Sequence, residues 1–184
     1  MACEFSGEVR DAFIAQGCDA WSCDLLPSER PGPHIQADVL SVLDESWDLM
    51  VAHPPCTALC RAGDRWYRQS QARLDAVAFV QMLWDAPIGR VAIENPRGLN
   101  RFWKPASQTI QPWMFNHPET KTTLLWLRGL PPLMATVVST GRQPRVHWMS
   151  PSKDRWKERS RTLPGVAAAM AAQWAPLLKS EVAA

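Results

Sequence analysis

The stretch "DLMVAHPPCTALC", residues 48–60, places a cysteine directly after two prolines at the end of an apolar run. Pro54 and Pro55 restrict the backbone, so the Cys56 thiol is held in one place, as a catalytic group requires. A thiolate is a strong nucleophile for addition to an electron-poor carbon. Cys56 is therefore a candidate nucleophile, with a buried structural thiol as the alternative. His53 either caps the strand or lines the same pocket.

A carboxylate is expected to share the site with that thiol. The segment "GRVAIENP", residues 89–96, is typical of a strand closed by proline, and Glu94 lies near its end. In an open α/β sheet, ligands bind beyond the carboxyl ends of the strands. Glu94 is therefore expected to face Cys56 across a pocket, where it can serve as a proton donor or acceptor.

Other strand ends carry groups suited to a nucleoside-containing cofactor. The first predicted strand opens into Phe5-Ser6-Gly7, the second ends at Asp24 and the third at Asp38. The helix start after Gly7 offers backbone N–H groups to an anion, and Asp24 can accept hydrogen bonds from ribose hydroxyls. Phe5 is placed to lie against a nucleoside. Each feature is weak alone, because acidic residues often cap strands, but their order along the chain favours a cofactor site.

The elements that position these residues alternate between strand and helix through the first half. This alternation predicts an α/β fold, a Rossmann-like and mostly parallel twisted sheet flanked by helices. Strands are predicted within residues 2–5, 19–26, 35–38, 47–55 and 89–96, and helices within 7–17 and 70–86. A single domain over residues 1–184 is expected, with its cofactor-binding and catalytic half in residues 1–96.

The second half of the chain has a different character. Residues 97–121 are polar, aromatic and rich in proline, which predicts a long nucleic-acid-facing loop. A strand is predicted at 122–127, a mostly irregular segment at 135–161, and a closing helix at 165–178 after Pro164.

Composition limits the class of protein. The chain has 184 residues, 46% of them hydrophobic, and no apolar run of membrane-spanning length. Its N-terminus does not resemble a signal peptide, so an intracellular protein without a membrane is expected. Five cysteines, an odd number, and the absence of a CxxC pair favour free thiols and no bound metal. Cys60 is interpreted as structural.

Clusters that mix basic and aromatic residues point to a nucleic acid. Ten tryptophans is a high number for this length. Arginine and lysine neutralise phosphates, while flat rings stack on bases. The alternative is that the tryptophans pack the core and the charges are solvated. The candidate contacts are Arg65, Arg97, Arg101, Trp103, Lys104, Arg155 and Lys157.

The order F-S-G, acidic strand end, A-D-V, P-P-C, E-N-P resembles the S-adenosylmethionine-dependent DNA cytosine-C5 methyltransferases, and in particular their short phage-type members. The resemblance implies S-adenosylmethionine as cofactor, DNA with a flipped cytosine as substrate, and the cytoplasm of a bacterial or phage-infected cell. It implies cofactor contacts at Phe5, Ser6, Gly7, Asp24, Leu25, Asp38, Val39 and Pro54. It implies catalytic roles for Cys56 as nucleophile, Glu94 as the residue that grips the base, and Lys121 as a basic contact to it.

The chain also departs from the family pattern. Val9 replaces a glycine, Thr57 replaces the glutamine after the cysteine, and E-N-V is here E-N-P. The first strand is very short, which suggests a late start site or a trimmed chain. No segment is long enough for the usual target-recognition domain, so relaxed specificity, a protein partner or a homodimer is expected. Three alternatives stay open: C5 alkylation of a free pyrimidine nucleotide, amino-group methylation of DNA, and a non-catalytic nucleic-acid-binding relative.

Overall fold

The computed structural model describes residues 1–179. Its strands are β1 (Ser22–Asp24), β2 (His34–Gln36), β3 (Leu49–Ala52), β4 (Arg90–Asn95), β5 (Gln108–Ile110) and β6 (Thr123–Arg128). Its α-helices are α1 (Glu8–Ala15), α2 (Asp64–Tyr67), α3 (Gln71–Asp85), α4 (Arg145–Trp148), α5 (Arg155–Ser160) and α6 (Pro164–Lys179). Within the described residues, no helix is both long and apolar enough to span a membrane.

The first residues of the chain pair with strands on both sides. Ala2 forms parallel bridges to Cys23 in β1 and to Ala52 in β3. The Ala2 N–H donates to Val51 O at 2.9 Å, and the Ala2 carbonyl accepts from the His53 N–H at 2.9 Å. The strand order is therefore β2-β1-Ala2-β3-β4-β6-β5. Successive strands run outward in both directions from Ala2, which makes this position the topological switch point of the sheet.

The sheet is mixed rather than mostly parallel. β1 pairs with β2, and β3 with β4, in parallel, whereas β6 pairs in antiparallel fashion with both β4 and β5. A short connection between neighbouring strands requires antiparallel pairing, and β5 and β6 are joined without a long helical crossover. The α/β class is confirmed, and the parallel part is the half that ends at the candidate site.

Alternate residues of the central strands are buried on opposite faces of the sheet. Val91 and Ile93 of β4 pack with the cluster that includes Val80 and Leu83 of α3, whereas Ala92 packs with the cluster that includes α1 and α6. This alternation follows from the two-residue period of a strand. Helices therefore cover both faces, and only the strand ends remain open to a ligand.

The structure changes the description of one part of the second half. Residues 97–121 contain strand β5 and two 3₁₀ turns, at Arg97–Arg101 and Pro112–Phe115, rather than one long loop. Residues 135–161 are mostly irregular, as predicted, and also contain the short helices α4 and α5. These elements are too short to show a hydrophobic period in the sequence, which explains why the sequence does not reveal them. The predicted final strand and closing helix are confirmed as β6 and α6.

Candidate functional site

The ends of β3 and β4 form the base of the candidate site. Ala52 pairs with Ile93, so the next residues along the two parallel strands are His53 and Glu94. Beyond them, Asn95 Nδ2 donates to the Pro54 carbonyl at 2.9 Å and is buried. This bond fastens the Pro-Pro segment that precedes Cys56 to the neighbouring strand end. The expected geometry, with Cys56 and Glu94 at adjacent strand ends, is what the fold provides.

Glu94 is an ionised carboxylate in this environment. Its side chain is 15% exposed, and burial acts to raise its pKa. The neighbouring His53 ring, the positive charge of Lys121 and the Thr123 hydroxyl more than offset burial, so the pKa of Glu94 is lowered from its usual range. His53 Nδ1 lies 3.9 Å from Glu94 Oε2.

Cys56 is a thiol in its resting form. Burial is the main cause that raises its pKa to about 11, and the neighbouring Cys60 and Glu94 raise it further. Lys121 acts in the opposite direction. A thiol with such a pKa needs a base before it can act as a nucleophile. The ionised Glu94 beside it is a group that can take up the proton.

Lys121 joins these groups from the start of β6. Its charge acts on both Cys56 and Glu94, and its Nζ donates to the Arg161 carbonyl at 3.0 Å. Lys121 therefore lies within electrostatic range of Cys56 and Glu94, the other two residues predicted as catalytic. Next to Arg161, the Thr162 hydroxyl lies 3.4 Å from His53 Nδ1. No pattern in the sequence points to Thr162, because 109 residues separate it from His53 along the chain.

Asp24 and Asp38 meet on the other side of the switch point. Asp24 Oδ1 accepts the Leu26 N–H at 2.9 Å, and Asp38 Oδ1 accepts the Leu40 N–H at 3.0 Å. Both carboxylates act on the Cys3 thiol. Burial is the main cause that raises the pKa of Cys3 to about 12, and the negative charges of Asp24 and Asp38 contribute to the increase. Two carboxylates thus lie near Cys3, just after the switch point at Ala2, and each has a second oxygen that can accept hydrogen bonds.

The two residues that follow these carboxylates differ in exposure. Leu25 is 73% exposed, whereas Val39 is buried in the core. A leucine so exposed beside a strand end offers an apolar face to a flat ligand. Val39 instead anchors the 3₁₀ turn Val39–Val42, whose N-cap is Asp38.

The start of α1 is already occupied, which corrects the expectation of a free anion site after Gly7. Glu4, only 4% exposed, accepts the N–H groups of Val9 at 2.6 Å and Arg10 at 3.2 Å. Its carboxylate satisfies the donors that a bound anion would use. Ser6 donates to the same carboxylate at 3.3 Å.

Phe5 is buried rather than open to a ligand. Its ring lies 6.0 Å from that of Trp156 on α5, centroid to centroid. The backbone carbonyl of Phe5 also accepts the Glu29 N–H at 2.8 Å. Helix α5 therefore covers the loop between the central segment and α1.

A buried arginine that the sequence analysis missed organises this loop. Arg10 is fully buried and donates to Ser22 Oγ at 3.2 Å, Ser28 Oγ at 3.1 Å and Pro31 O at 3.0 Å. Gly7 has a φ of 74°, and a Cβ there would lie 2.6 Å from the Arg10 guanidinium. Glycine is required at this position both for the backbone conformation and for space.

The residues predicted to contact nucleic acid lie in three separate places. Arg65, Arg97 and Arg101 are exposed near the turn that follows Cys56. Arg155 and Lys157 are half-buried on α5, whose Trp156 packs against Phe5. Trp103 and Lys104 lie beside Trp84, near the end of α3.

Trp103 packs within an aromatic cluster. Its ring lies 5.6 Å from that of Trp84 and 5.8 Å from that of Trp126. Lys104 Nζ lies 3.0 Å from the centre of the Trp84 ring, near the end of α3. The Trp84 carbonyl accepts from Arg128, which pairs with Val91 at the beginning of β4. This cluster therefore lies at the amino end of strand β4, and Cys56 lies beyond the carboxyl end of the neighbouring strand β3. We call it the amino-edge cluster.

Within the described residues, no group of three or more histidine, cysteine, aspartate or glutamate side chains is arranged to hold a metal ion. His53, Cys56 and Cys60 thus do not form such a group.

Comparisons with solved structures find chains that resemble this one. No protein-family model matches the chain, and no curated protein matches it. Among solved structures, the chain is similar to an E. coli protein described as a candidate DNA modification methyltransferase encoded within a prophage. The TM-score is 0.46 at 13% sequence identity, over 73% of this chain and 50% of the other. The chain thus spans half the length of that protein, and a likeness of this size assigns no activity.

Proposed function

We propose that this chain is an S-adenosylmethionine-dependent DNA cytosine-C5 methyltransferase with Cys56 as its nucleophile. The observation that carries the proposal is the convergence of Cys56, Glu94 and Lys121 at the strand ends beside the switch point. The residue chemistry and the order of motifs along the chain support the same reading.

The residues beside the switch point suit the adenosine part of the cofactor. Asp24 and Asp38 offer carboxylate oxygens for ribose hydroxyls and for the adenine amino group, and exposed Leu25 offers an apolar face to the base. The cofactor would supply an electrophilic methyl group on a sulfonium centre. Since Glu4 occupies the start of α1, the methionine carboxylate would need other donors than the first N–H groups of that helix.

The ionisation states suggest how the nucleophile is formed. Glu94 accepts the proton of the Cys56 thiol, and the thiolate adds to carbon 6 of cytosine. As negative charge develops on the ring, Glu94 returns that proton to N3. Carbon 5 then carries the electron pair that accepts the methyl group. Loss of the carbon 5 proton releases Cys56 as a thiolate, and N3 gives up its proton to restore the cytosine ring.

Lys121 assists by charge. It lowers the pKa of Cys56 and of Glu94, so it stabilises both the thiolate and the carboxylate. Its bond to the Arg161 carbonyl holds the ammonium group between β6 and the segment before α6. His53 lies beside the Glu94 carboxylate, with its Nδ1 3.9 Å from Glu94 Oε2.

A covalent trap tests the nucleophile. In a duplex whose cytosines carry fluorine at carbon 5, the final proton loss is blocked, so the Cys56 adduct accumulates. We expect a cofactor-dependent covalent complex on a denaturing gel for the wild-type chain and for Cys60→Ala, and none for Cys56→Ala. A complex with Cys56→Ala, or none with the wild type, would contradict the assignment.

A further inference from the structure

Trp66 is an exposed aromatic side chain close to the candidate nucleophile. It lies on α2, and its side chain is 69% exposed. The Arg65 guanidinium lies 4.3 Å from the centre of its ring. The ring therefore offers a flat apolar surface beside a positive charge, a combination that suits stacking on a base next to a phosphate.

The surrounding contacts hold α2 in a fixed position. Asp64, the first residue of α2, accepts from the guanidinium of Arg73 at 2.8 Å and also pairs with Arg101. Arg73 is only 7% exposed, and its Nε donates to the Ala58 carbonyl at 2.8 Å. The ion pairs thus tie α2 to the chain segment that begins at Cys56.

Two glycines bring the neighbouring segments close to that turn. A Cβ at Gly63 would collide with the Thr57 carbonyl, and a Cβ at Gly98 would collide with the Leu59 carbonyl. The residues before α2 and the 3₁₀ turn at Arg97–Arg101 therefore both pack against the backbone that follows Cys56.

This packing gathers positive charge around the same turn. We call its exposed arginines the basic rim: Arg61, Arg65, Arg68, Arg97 and Arg101. Asp64 is the acidic residue among them, and its ion pairs lower its pKa, so it stays ionised. Five exposed arginines on neighbouring segments fit the phosphates of a nucleic acid backbone.

We propose that Trp66 inserts into duplex DNA and fills the space left when the target base is flipped toward Cys56. The proposal rests on the proposed function, because Cys56 can reach cytosine only after the base leaves the stack. Apolar side chains that enter between base steps are an established way to offset lost stacking. The basic rim would hold the phosphates on either side while Trp66 enters.

The first test measures duplex opening without requiring turnover. A duplex with 2-aminopurine beside the target cytosine becomes more fluorescent when its stacking is lost. We expect a fluorescence rise with the wild-type chain and with Trp148→Ala, a matched control whose side chain is 76% exposed on α4. Trp66→Ala should bind with a similar salt slope and give little rise. An equal rise with Trp66→Ala would overturn the proposal.

The second test compares substrates. Trp66→Ala should lower kcat/KM on a duplex by about 10-fold or more, the loss expected when one stacking contact is removed. It should leave kcat/KM on the same single strand within about twofold, since no base pair must open there. A target cytosine opposite an abasic site should restore part of the lost rate. Equal losses on single and double strands would mean that Trp66 serves general binding or folding, which contradicts the wedge.

The two tests separate this inference from the proposed function. If no DNA is methylated by any variant but the fluorescence difference between wild type and Trp66→Ala holds, the wedge is supported and the methyltransferase proposal fails. If methylation occurs and Trp66→Ala matches the wild type on duplex DNA, the wedge fails alone.

Discussion

His53 Nδ1 and Glu94 Oε2 lie 3.9 Å apart, one at the end of β3 and the other near the end of β4. The nearby His53 contributes to keeping Glu94 ionised beside a thiol whose pKa burial raises to about 11. The resting site therefore holds its proton on sulfur and its negative charge on oxygen. An adduct at Cys56 requires that distribution to reverse, which gives Glu94 a role in both halves of the reaction.

The rate of alkylation of Cys56 should report how Glu94 and Lys121 act on the pKa of its thiol. Because its pKa is raised to about 11, its rate of reaction with iodoacetamide should keep increasing about tenfold per pH unit beyond pH 9. Glu94→Gln removes a negative neighbour and should increase the rate at pH 8, whereas Lys121→Gln should decrease it. Peptide mass spectrometry separates Cys56 from the other thiols. A rate that levels off near pH 8, or no effect of Glu94→Gln, would contradict the described electrostatics.

Cofactor binding should depend on the carboxylates at the switch point. Asp24→Asn and Asp38→Asn should each weaken binding of S-adenosylhomocysteine, the demethylated cofactor, by about 10-fold or more, since each loses a hydrogen bond to a charged group. Asp44→Asn, on the exposed surface, is the matched control and should bind like the wild type. Calorimetric titration measures all three. Unchanged affinity in both Asp24 and Asp38 variants would place the cofactor elsewhere.

DNA binding should separate the basic rim from the amino-edge cluster. Arg101→Ala should reduce the slope of log affinity against log salt by about one, as expected for one lost phosphate contact. Lys104→Ala should leave that slope unchanged, because its ammonium group lies over Trp84 at the other edge of the sheet. Fluorescence anisotropy at several salt concentrations distinguishes them. If Lys104→Ala reduces the salt slope more than Arg101→Ala does, DNA binds at the side of the sheet that carries Trp84 and Lys104.

The sequence predicts which residues stand at strand ends better than it predicts which basic-aromatic cluster is exposed. Cys56, Glu94, Asp24 and Asp38 stand at strand ends, and strand ends follow from the alternation of apolar runs and turn signals. Trp103 and Lys104 read as a basic-aromatic cluster in the same way as Arg65 and its neighbours. Only tertiary packing reveals that Trp103 packs against other tryptophans whereas Arg65 is exposed.

Contacts between residues far apart in the chain also could not be predicted from the sequence. Glu4 appears as an ordinary acidic residue in a short strand, yet it caps α1 and excludes an anion from that helix start. Arg10 appears as a surface residue of an amphipathic helix, because arginine is almost never buried without partners. Apart from Asp11 on the same helix, its partners are Ser22 of β1 and the loop at residues 28–33, which no local pattern links to α1.

Arg10 should therefore be a determinant of stability. Arg10→Met leaves the oxygens of Ser22, Ser28 and Pro31 without this donor and should lower the free energy of unfolding by about 3–5 kcal/mol. Arg68→Met, on the exposed surface, should change it by about 0.5 kcal/mol or less. Urea unfolding measures both variants. Similar small effects in the two would mean that the Arg10 contacts contribute little.

The most direct test of the proposed function is mass spectrometry of the nucleosides from duplex DNA incubated with the chain and S-adenosylmethionine carrying a labelled methyl group. The convergence of Cys56, Glu94 and Lys121 leads us to expect the label in 5-methyldeoxycytidine, with none transferred by Cys56→Ala. Label on the amino group of cytosine or adenine, label transferred equally by Cys56→Ala, or no labelled nucleoside at all would contradict it.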